Sequence, residues 1–480
     1  MLKRTLFFPQ SYGRITMHKL FAIFLVLYST TLAFAADAPV PDLGKRKAGV
    51  DWPVFLGPTA DSKSSETGIV TKWKAGTPRI VWQKKLGTGY GIGSVSRGRL
   101  LQFDRYGDQA RLSCWNAETG AELWKFEYAS DYEDLYNYNN GPRCSPLIDG
   151  DRVYIFGVEG MLHCVQLLDG KLLWKFDTDR KFGVVQNFFG VGSSPVIHGD
   201  LLLVMVGGSP ADSHNLPPGQ LDRVEPNGTA VVAFDKRTGE VRYKVGDDLA
   251  SYASLRIATV NKEPFCLAFC RAGLLAFDPR TGKQDFHFPW RSKILESVNA
   301  ATPTIVADQI LISETYGPGS ALLNFARGKK EIVWQDDPKK REKTLLSHWC
   351  TPVHHAGFGY GCSGRHTHEA MLRCFDWKTG TVKWSEPGLT RASLLYVDGH
   401  FVGLGEYGQL FLFKANPEKF ELIAELELTD PVAGPLLPGA AGGGALLKYP
   451  CWAAPILSHG LLYVRGDDRL VCVELIPEKK

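Results

Sequence analysis

The chain has 480 residues, of which 44% are hydrophobic and 22% are charged, a composition typical of globular proteins. Its formal net charge is +4, but residues 1–35 hold four basic and no acidic residues, so the remainder is close to neutral. A near-neutral chain lacks the electrostatic attraction to phosphates on which nucleic-acid binding depends, and no nucleic-acid partner is expected.

Residues 1–35 have the pattern of a targeting segment. Lys19 precedes an apolar run, Leu20–Tyr28, and Ala33–Ala35 forms a small-residue cleavage site. The run is shorter than the roughly 20 apolar residues that a membrane-spanning helix needs. We therefore expect a signal peptide, no membrane span, and an exported protein that is periplasmic or secreted. Both Met1 and Met17 remain possible starts.

Residues 36–78 are rich in proline, lysine and serine and contain one apolar island, Asp51–Pro58 (DWPVFLGP). Such a composition favours extended chain over a packed core. We expect this segment to be an N-terminal strap that lies on the domain formed by residues 79–477.

That domain contains a repeat in which an apolar strand, a tight turn and a strand ending in an aromatic residue follow one another. Five copies are clear: Cys114–Trp124, Cys164–Trp174, Ala233–Tyr243, Ala276–Phe286 and Cys374–Trp384. The glycine of each turn supplies the positive φ of a hairpin without steric cost. A period of roughly 40–50 residues holding about four strands is typical of a β-propeller.

The inner strands of the repeats have a second pattern, a small residue followed closely by an apolar strand. Eight such openings occur, near Ser94, Ser145, Ser194, Ser254, Thr302, Thr351, Ser393 and Ala454. The eighth unit ends without a fourth strand, and Ile80–Gln83 has the pattern of that missing strand. The prediction is an all-β, eight-bladed propeller of four-stranded antiparallel blades, closed by this N-terminal strand. The repeated tryptophans, such as Trp82 and Trp124, are then packing residues between blades.

The ten cysteines do not form a disulfide framework in the sequence. Five of them replace small residues of the repeat: Cys114, Cys144, Cys164, Cys350 and Cys374. Cys266 and Cys270 lie four residues apart on one predicted strand, about 13 Å, which is too far for a bridge. The sequence leaves the disulfide state of the chain open.

Several longer segments carry a resemblance to a known family. They are DWPVFLGP (Asp51–Pro58), ESVNAATP (Glu296–Pro303), ISETYGPGSALL (Ile312–Leu323), SGRHTHEAMLRC (Ser363–Cys374), EPGLTRASLLYVDGHFVGLGEYG (Glu386–Gly408) and CWAAPILSHGLLYVRG (Cys451–Gly466). From about Asp51 to the C-terminus the chain resembles bacterial propellers built from pyrroloquinoline-quinone-type (PQQ-like) repeats, in particular the exported planctomycete type. This resemblance implies the eight-bladed fold and a relation in fold to the Bam-complex propeller lipoprotein and to quinoprotein dehydrogenases. It implies little chemistry.

The loops before the inner strands and between second and third strands are rich in Arg, Glu, Asn, His and Tyr. Because the ring brings such loops to one mouth, they predict a polar funnel that binds a ligand or partner. Its expected residues are Arg143, Asn187, Arg271, Asn299, Glu314, Tyr316, Arg365, His366, Arg391 and Glu406, with Trp349 and Trp452 deeper. The arginines suit carboxylates or other anions. Alternatively, Glu314 and Glu406 neutralise them in a structural network.

No catalytic motif and no metal site is expected. His366 and His368 could share a face, but a zinc site needs further ligands. The quinoprotein dehydrogenases resemble one another in an adjacent-cysteine disulfide, a tryptophan beneath the quinone and calcium-binding carboxylates, and this chain has no adjacent cysteines. The prediction is a monomeric, non-catalytic binding or scaffold propeller for a partner protein or a small anionic ligand. The alternative is a dehydrogenase-like oxidoreductase that uses PQQ with calcium.

Overall fold

The computed structural model describes residues 39–74, 77–184, 189–429 and 444–478. The strands in these ranges form eight sheets of four strands, and every neighbouring pair is antiparallel. Each sheet is one blade, so the predicted eight-bladed propeller is confirmed. The predicted signal peptide lies outside the described residues.

The first four blades follow one another along the chain. Blade 1 has β2 (Ser94–Ser96), β3 (Arg99–Tyr106), β4 (Gln109–Asn116) and β5 (Glu122–Ala129). Blade 2 has β6 (Leu147–Asp149), β7 (Arg152–Phe156), β8 (Met161–Gln166) and β9 (Leu172–Asp177). Blade 3 has β10 (Val196–His198), β11 (Leu201–Met205), β12 (Val231–Asp235) and β13 (Val241–Val245). Blade 4 has β14 (Arg256–Val260), β15 (Glu263–Phe269), β16 (Gly273–Phe277) and β17 (Gln284–Pro289).

The remaining blades continue the same order. Blade 5 has β18 (Thr304–Val306), β19 (Gln309–Glu314), β20 (Gly319–Ala326) and β21 (Lys329–Gln335). Blade 6 has β22 (Val353–His355), β23 (Phe358–Ser363), β24 (Met371–Asp376) and β25 (Val382–Pro387). Blade 7 has β26 (Ala392–Val397), β27 (His400–Gly405), β28 (Gln409–Lys414) and β29 (Leu422–Glu427). Blade 8 has β30 (Ile456–Ser458), β31 (Leu461–Arg465), β32 (Arg469–Glu474) and the N-terminal β1 (Arg79–Lys85).

Helices are short and lie in connections between strands. They are α1 (Thr178–Phe182) and the 3₁₀ turns Ala211–Asn215, Pro218–Arg223 and Thr367–Glu369. None of the helices in the described ranges has the length and apolarity to cross a membrane.

The N-terminal strand closes the ring as predicted. β1 pairs antiparallel with β32, and Trp82 lies opposite Cys472 in the register. Pairing strands from the two ends of the chain removes a free sheet edge, which would otherwise be open to another chain.

In five of the eight outer strands, the tryptophan of the repeat docks on the turn of the next blade. The indole of Trp124 in blade 1 donates to the Leu167 carbonyl of blade 2 at 3.1 Å. The Trp124 ring also lies so close to Gly170 that an added Cβ there would be 2.5 Å from it. The same donation recurs from Trp82 to Ala117, Trp174 to Lys236, Trp334 to Trp377, and Trp384 to Asn416. The repeat therefore encodes the contact between blades as well as the blade itself.

A ring of hydroxyl groups joins the starts of the inner strands. The Ser145 amide donates to the Ser194 hydroxyl at 3.1 Å, and the Ser194 amide donates to the Ser254 hydroxyl at 3.0 Å. The series continues from Ser254 to Thr302 and from Thr302 to Thr351. In blades 2 to 5, a hydroxyl of the next blade therefore satisfies the amide that precedes the inner strand.

The described part of the strap, residues 39–74, lies against the propeller. Trp52 is 1% exposed and pairs with Val95 of blade 1, and Lys63 bridges to Tyr396 of blade 7. All ten cysteines fall within the described ranges, where they are buried thiols.

Candidate functional site

A cavity of about 610 Å³ lies where the inner strands of the blades converge. Its lining includes hydroxyls of the ring described above, on Ser194, Ser254, Thr302 and Thr351. Tyrosine, tryptophan and arginine side chains from the connecting loops form the rest of the wall. We call it the central cavity, and its volume is in the range typical of small-molecule sites.

The strap forms part of the lining of the central cavity. Phe55, Leu56 and Ser62 contribute to it, although they precede Ser94, the first residue of blade 1, by 32 to 39 residues in sequence. They are held by backbone bonds to two inner strands, since Ile148 donates to the Pro53 carbonyl and Tyr396 donates to the Ser62 carbonyl. The apolar island DWPVFLGP thus reaches the central cavity and forms part of its wall.

One wall of the central cavity is aromatic. The rings of Trp349 and Trp452 have centroids 4.7 Å apart, and Tyr90 lies 4.8 Å from Trp452. Tyr449, which is 45% exposed, meets the edge of Trp452 at 5.9 Å. These contacts hold the rings in place, so the wall is preorganised for stacking against a ligand.

Behind this wall, Arg391 is neutralised by Glu406. The Arg391 Nε donates to both oxygens of the Glu406 carboxylate at 3.0 Å, and the Glu406 side chain is fully buried. Burial raises the pKa of Glu406, but the hydrogen bonds from Arg391 and Thr367 outweigh it and the net pKa is lowered. The Arg391 guanidinium lies 4.4 Å from the Trp349 ring centroid, so this ion pair supports the aromatic wall.

Arg143 is neutralised in the same way. Its Nη2 lies 3.1 Å from a carboxylate oxygen of Asp134, whose side chain is fully buried. The same nitrogen donates to the Asn139 carbonyl at 2.9 Å. The guanidinium also lies 5.4 Å from the ring of Tyr90, where it lines the central cavity.

Arg365 differs from the other arginines. Within the described part of the chain its guanidinium forms no ion pair with a carboxylate, and it lies 4.5 Å over the ring of Tyr316. The Tyr316 hydroxyl is hydrogen-bonded to His348 Nε2 at 3.1 Å. Burial, and then the charges of Arg391 and Arg365, lower the pKa of His348 to about 3, so that imidazole is neutral. Arg365 is therefore a cation of the cavity wall that has no ion-pair partner among the described carboxylates.

Of the other residues expected at the site, three are buried outside the central cavity. Arg271 pairs with Asp222 at 3.0 Å and donates to the Leu295 carbonyl. Asn299 donates to the Cys270 carbonyl at 2.7 Å. Glu314 accepts a hydrogen bond from Ser297, and burial raises its pKa to about 7. These three side chains make hydrogen bonds within the loops that carry the cavity wall.

The structure thus places seven of the twelve expected residues on the cavity lining: Arg143, Tyr316, Trp349, Arg365, His366, Arg391 and Trp452. Glu406 lies behind them as the partner of Arg391. Asn187 lies outside the described residues.

Sequence reasoning missed the aromatic residues on the other side of the cavity. Tyr136 and Tyr138 are 47% and 68% exposed, and both lie about 6 Å from the Phe189 ring. Tyr252 also lines the cavity and its hydroxyl accepts from the Phe189 amide. The segment YEDLYNYNN (Tyr132–Asn140) signals this wall in the sequence, since it holds three tyrosines, and clustered exposed apolar surface marks interaction sites.

The residues present do not provide a ligand set for a calcium-bound quinone. Glu296 is the one carboxylate among the residues that line the central cavity, and the described ranges contain no group of three His, Cys, Asp or Glu side chains suited to a metal. The rings of Trp349 and Trp452 contact each other, so there is no space between them for a planar group such as a quinone. His366 and His368 stack at 5.8 Å, but they belong to no group of three such side chains in the described ranges that could hold a metal ion.

Comparison with known families identifies the repeat. Residues 66–221 and 140–386 match the PQQ_2 family, which is described as "Outer membrane protein assembly factor BamB". No curated protein sequence shows significant similarity to the chain.

Two solved structures share the architecture. BamB from Moraxella catarrhalis has a TM-score of 0.55 and 14% identity, over 84% of this chain and 98% of that protein. Quinohemoprotein alcohol dehydrogenase from Comamonas testosteroni has a TM-score of 0.56 and 11% identity, over 90% of this chain and 81% of that protein. At these identities the likeness shows the fold alone, and the fold serves both an assembly factor and an oxidoreductase.

Proposed function

We infer, from the premise that this chain belongs to the PQQ_2 family of propellers, that it is a non-catalytic binding or scaffold protein that works outside the cytoplasm. The central cavity is the proposed binding site, and its ligand is a partner protein or a small anionic molecule. The targeting pattern of residues 1–35 supports export.

The observation that carries the proposal is that Arg365, in an aromatic-walled cavity, forms no ion pair with a described carboxylate. Arg143 and Arg391 are each held by a buried carboxylate, so their charges are already balanced within the protein. Arg365 retains an unbalanced charge beside stacking surfaces, which suits a ligand that carries both a negative group and an apolar or planar portion.

The rim of the cavity supports a partner protein in particular. Tyr136, Tyr138, Tyr407 and Tyr449 are 45–68% exposed. Tyrosine, tryptophan and arginine are the residue types enriched where protein interfaces concentrate their binding energy. The family description, which names assembly of outer-membrane proteins, agrees with a role in protein contacts.

The test is affinity capture from an envelope extract of the native cell with three immobilised proteins: wild type, Arg365→Ala and Lys378→Ala. Lys378 is an exposed cation in the glycine turn of the same blade, so it controls for loss of one positive charge. Mass spectrometry of the eluates detects proteins and small molecules alike. We expect a ligand that is retained by wild type and Lys378→Ala and lost from Arg365→Ala. Equal retention by all three proteins would place the contact elsewhere.

A second assay addresses the oxidoreductase alternative. The purified protein is incubated with PQQ and calcium, and dye reduction is followed with alcohols and sugars. Saturable turnover would overturn the non-catalytic proposal.

A further inference from the structure

A second depression of about 530 Å³ adjoins the central cavity and shares Tyr316, Arg365 and His366 with it. Its outer wall is the connection from blade 5 to blade 6, with Lys339, Lys340, Arg341 and Lys343. We call this depression the basic cleft. It contains five lysine and arginine side chains and, among its lining residues, the single carboxylate of Glu369.

The positive charges of the basic cleft are not balanced by ion pairs. Among the described residues, no carboxylate forms a salt bridge with any of the five cations, whereas Arg143, Arg271 and Arg391 each have one. Lys343 is 8% exposed and donates its ammonium to the Asp337 carbonyl. A charged group so buried without a counter-charge is unusual and marks a place where an anion is favoured.

Three carboxylates near the basic cleft are already used by backbone amides. Asp336 accepts from the amides of Ser320 and Thr344 at 2.7 and 2.8 Å. Asp337 accepts from the Lys339 amide at 2.9 Å. Glu369 accepts from the amides of Arg365 and His366 at 3.1 Å. These carboxylates therefore shape the loops, and none of them forms a salt bridge with a cation of the basic cleft.

Arg365 joins the two depressions, because its guanidinium lies on Tyr316 and both residues line each of them. A ligand with an apolar part in the central cavity can therefore place negative groups in the basic cleft. We propose that the two depressions together bind an acidic peptide segment of a partner protein. An aromatic or aliphatic side chain of the segment enters the central cavity, and its Asp or Glu side chains lie in the basic cleft.

Two features favour a peptide over a phosphorylated small molecule. Lys339, Lys340 and Arg341 are exposed on one loop, and three of the five cations are lysines. Flexible lysines give a diffuse attraction that guides an extended acidic chain, whereas phosphate recognition favours a rigid arginine fork. The exposed tyrosines of the cavity rim supply the apolar contact that a peptide side chain needs.

This proposal rests on the proposed binding function, and its test separates the two. The full chain is titrated, by fluorescence anisotropy, with a labelled peptide of glutamates around a central tryptophan. The same peptide with glutamine for glutamate is the ligand control. Lys339→Glu/Lys340→Glu is compared with Lys378→Glu/Lys383→Glu, a pair of exposed lysines on the outer part of blade 6 with the same change in charge.

We expect saturable binding of the glutamate peptide that weakens as salt rises. Binding should weaken about tenfold or more in Lys339→Glu/Lys340→Glu and less than about twofold in the control pair. Failure of the glutamate peptide to bind, equal binding of the glutamine peptide, or equal weakening in both double variants would overturn the proposal. Polygalacturonate is tested in the same way as a polyanion that is not a peptide. If it binds with the same dependence on Lys339 and Lys340 while the glutamate peptide does not bind, the basic cleft is a polysaccharide site and the proposal is overturned. A native partner that is lost from Arg365→Ala but retained by Lys339→Glu/Lys340→Glu would leave the proposed function standing and remove the acidic peptide.

Discussion

Arg391 and Glu406 form a bidentate ion pair directly behind the aromatic wall of the central cavity. The Arg391 side chain is 10% exposed and that of Glu406 is fully buried, and the guanidinium packs on Trp349. The sequence predicts that Arg391 binds an anionic ligand, but in the structure its guanidinium is paired with the Glu406 carboxylate. Arg365, 26 residues earlier and on the same wall, has no such partner among the described residues.

The first prediction follows from this difference. Arg391→Ala leaves Glu406 buried without its counter-charge, and removal of one member of a buried pair costs about 3–5 kcal/mol of the free energy of unfolding. Arg365→Ala loses a cation–π contact worth about 0.5–1 kcal/mol. Urea denaturation of both variants measures the two costs. Equal costs would show that the Arg391 pair is not structural.

The second prediction concerns the docking of one blade on the next. Gly170→Ala places a Cβ 2.5 Å from the Trp124 ring, at a φ of +75°. Gly150 in the same blade has a φ of +63° and open space around its Cβ position, so Gly150→Ala is the matched control for backbone strain alone. We expect the control to cost about 1 kcal/mol and Gly170→Ala to cost at least about 2 kcal/mol more, because Trp124 must shift. Thermal unfolding checks the order, and equal midpoints would contradict it.

The third prediction concerns Glu314, whose pKa burial raises to about 7 from a value of 4.5 in the unfolded chain. Between pH 4.5 and 7 the folded state keeps a proton that the unfolded state releases, so this residue makes stability fall as pH rises. The slope is up to about 1.4 kcal/mol per pH unit. Glu314→Gln removes the effect, and its stability relative to wild type should therefore rise from pH 5 to pH 8. A relative stability that stays constant between these pH values would refute this.

The fourth prediction concerns the strap. His459 Nε2 lies 3.1 Å from Asp51 Oδ1, and the Asp51 hydrogen bond raises the pKa of His459. Burial raises the pKa of Asp51, but hydrogen bonds from His459 and Ser96 lower it overall. The contribution of protonated His459 to the free energy of unfolding is complete below about pH 6.5 and is lost as pH rises through the pKa of His459 in the folded state. The contribution of ionised Asp51 to the free energy of unfolding is complete above about pH 3.9 and is lost as pH falls through the pKa of Asp51 in the folded state.

The strap contact should accordingly be strongest between about pH 4 and 6.5. We expect His459→Ala to lower stability by about 0.5–1 kcal/mol at pH 5.5, since the pair is partly exposed, and by less at pH 8.5. Differential scanning calorimetry of wild type and variant at both pH values provides the measurement. A loss that is larger at pH 8.5 would contradict this assignment.

The architecture follows from local sequence patterns. Turn glycines such as Gly120 and Gly170 need a positive φ that few other residues adopt, and the tryptophans that precede them in the chain need a flat surface to cover. Because these requirements recur at a fixed spacing, the sequence predicts the number of blades. The orphan strand around Trp82 likewise predicts the closure, since its sequence has the pattern of an outer strand and no neighbouring strand of its own repeat precedes it.

The chemistry of the centre was decided by the tertiary structure. The sequence predicts which loops meet at the mouth, because the ring geometry is regular, but it does not tell which carboxylate each arginine meets. Asp134, Asp222 and Glu406 neutralise Arg143, Arg271 and Arg391 because their oxygens lie within 3.1 Å, a distance set by loop conformations that follow no repeat. The sequence by itself therefore determined the eight-bladed scaffold from short-range periodic constraints. Only the packing of non-repetitive loops decided that Arg365 and the lysines beside it have no ion-pair partner among the described carboxylates.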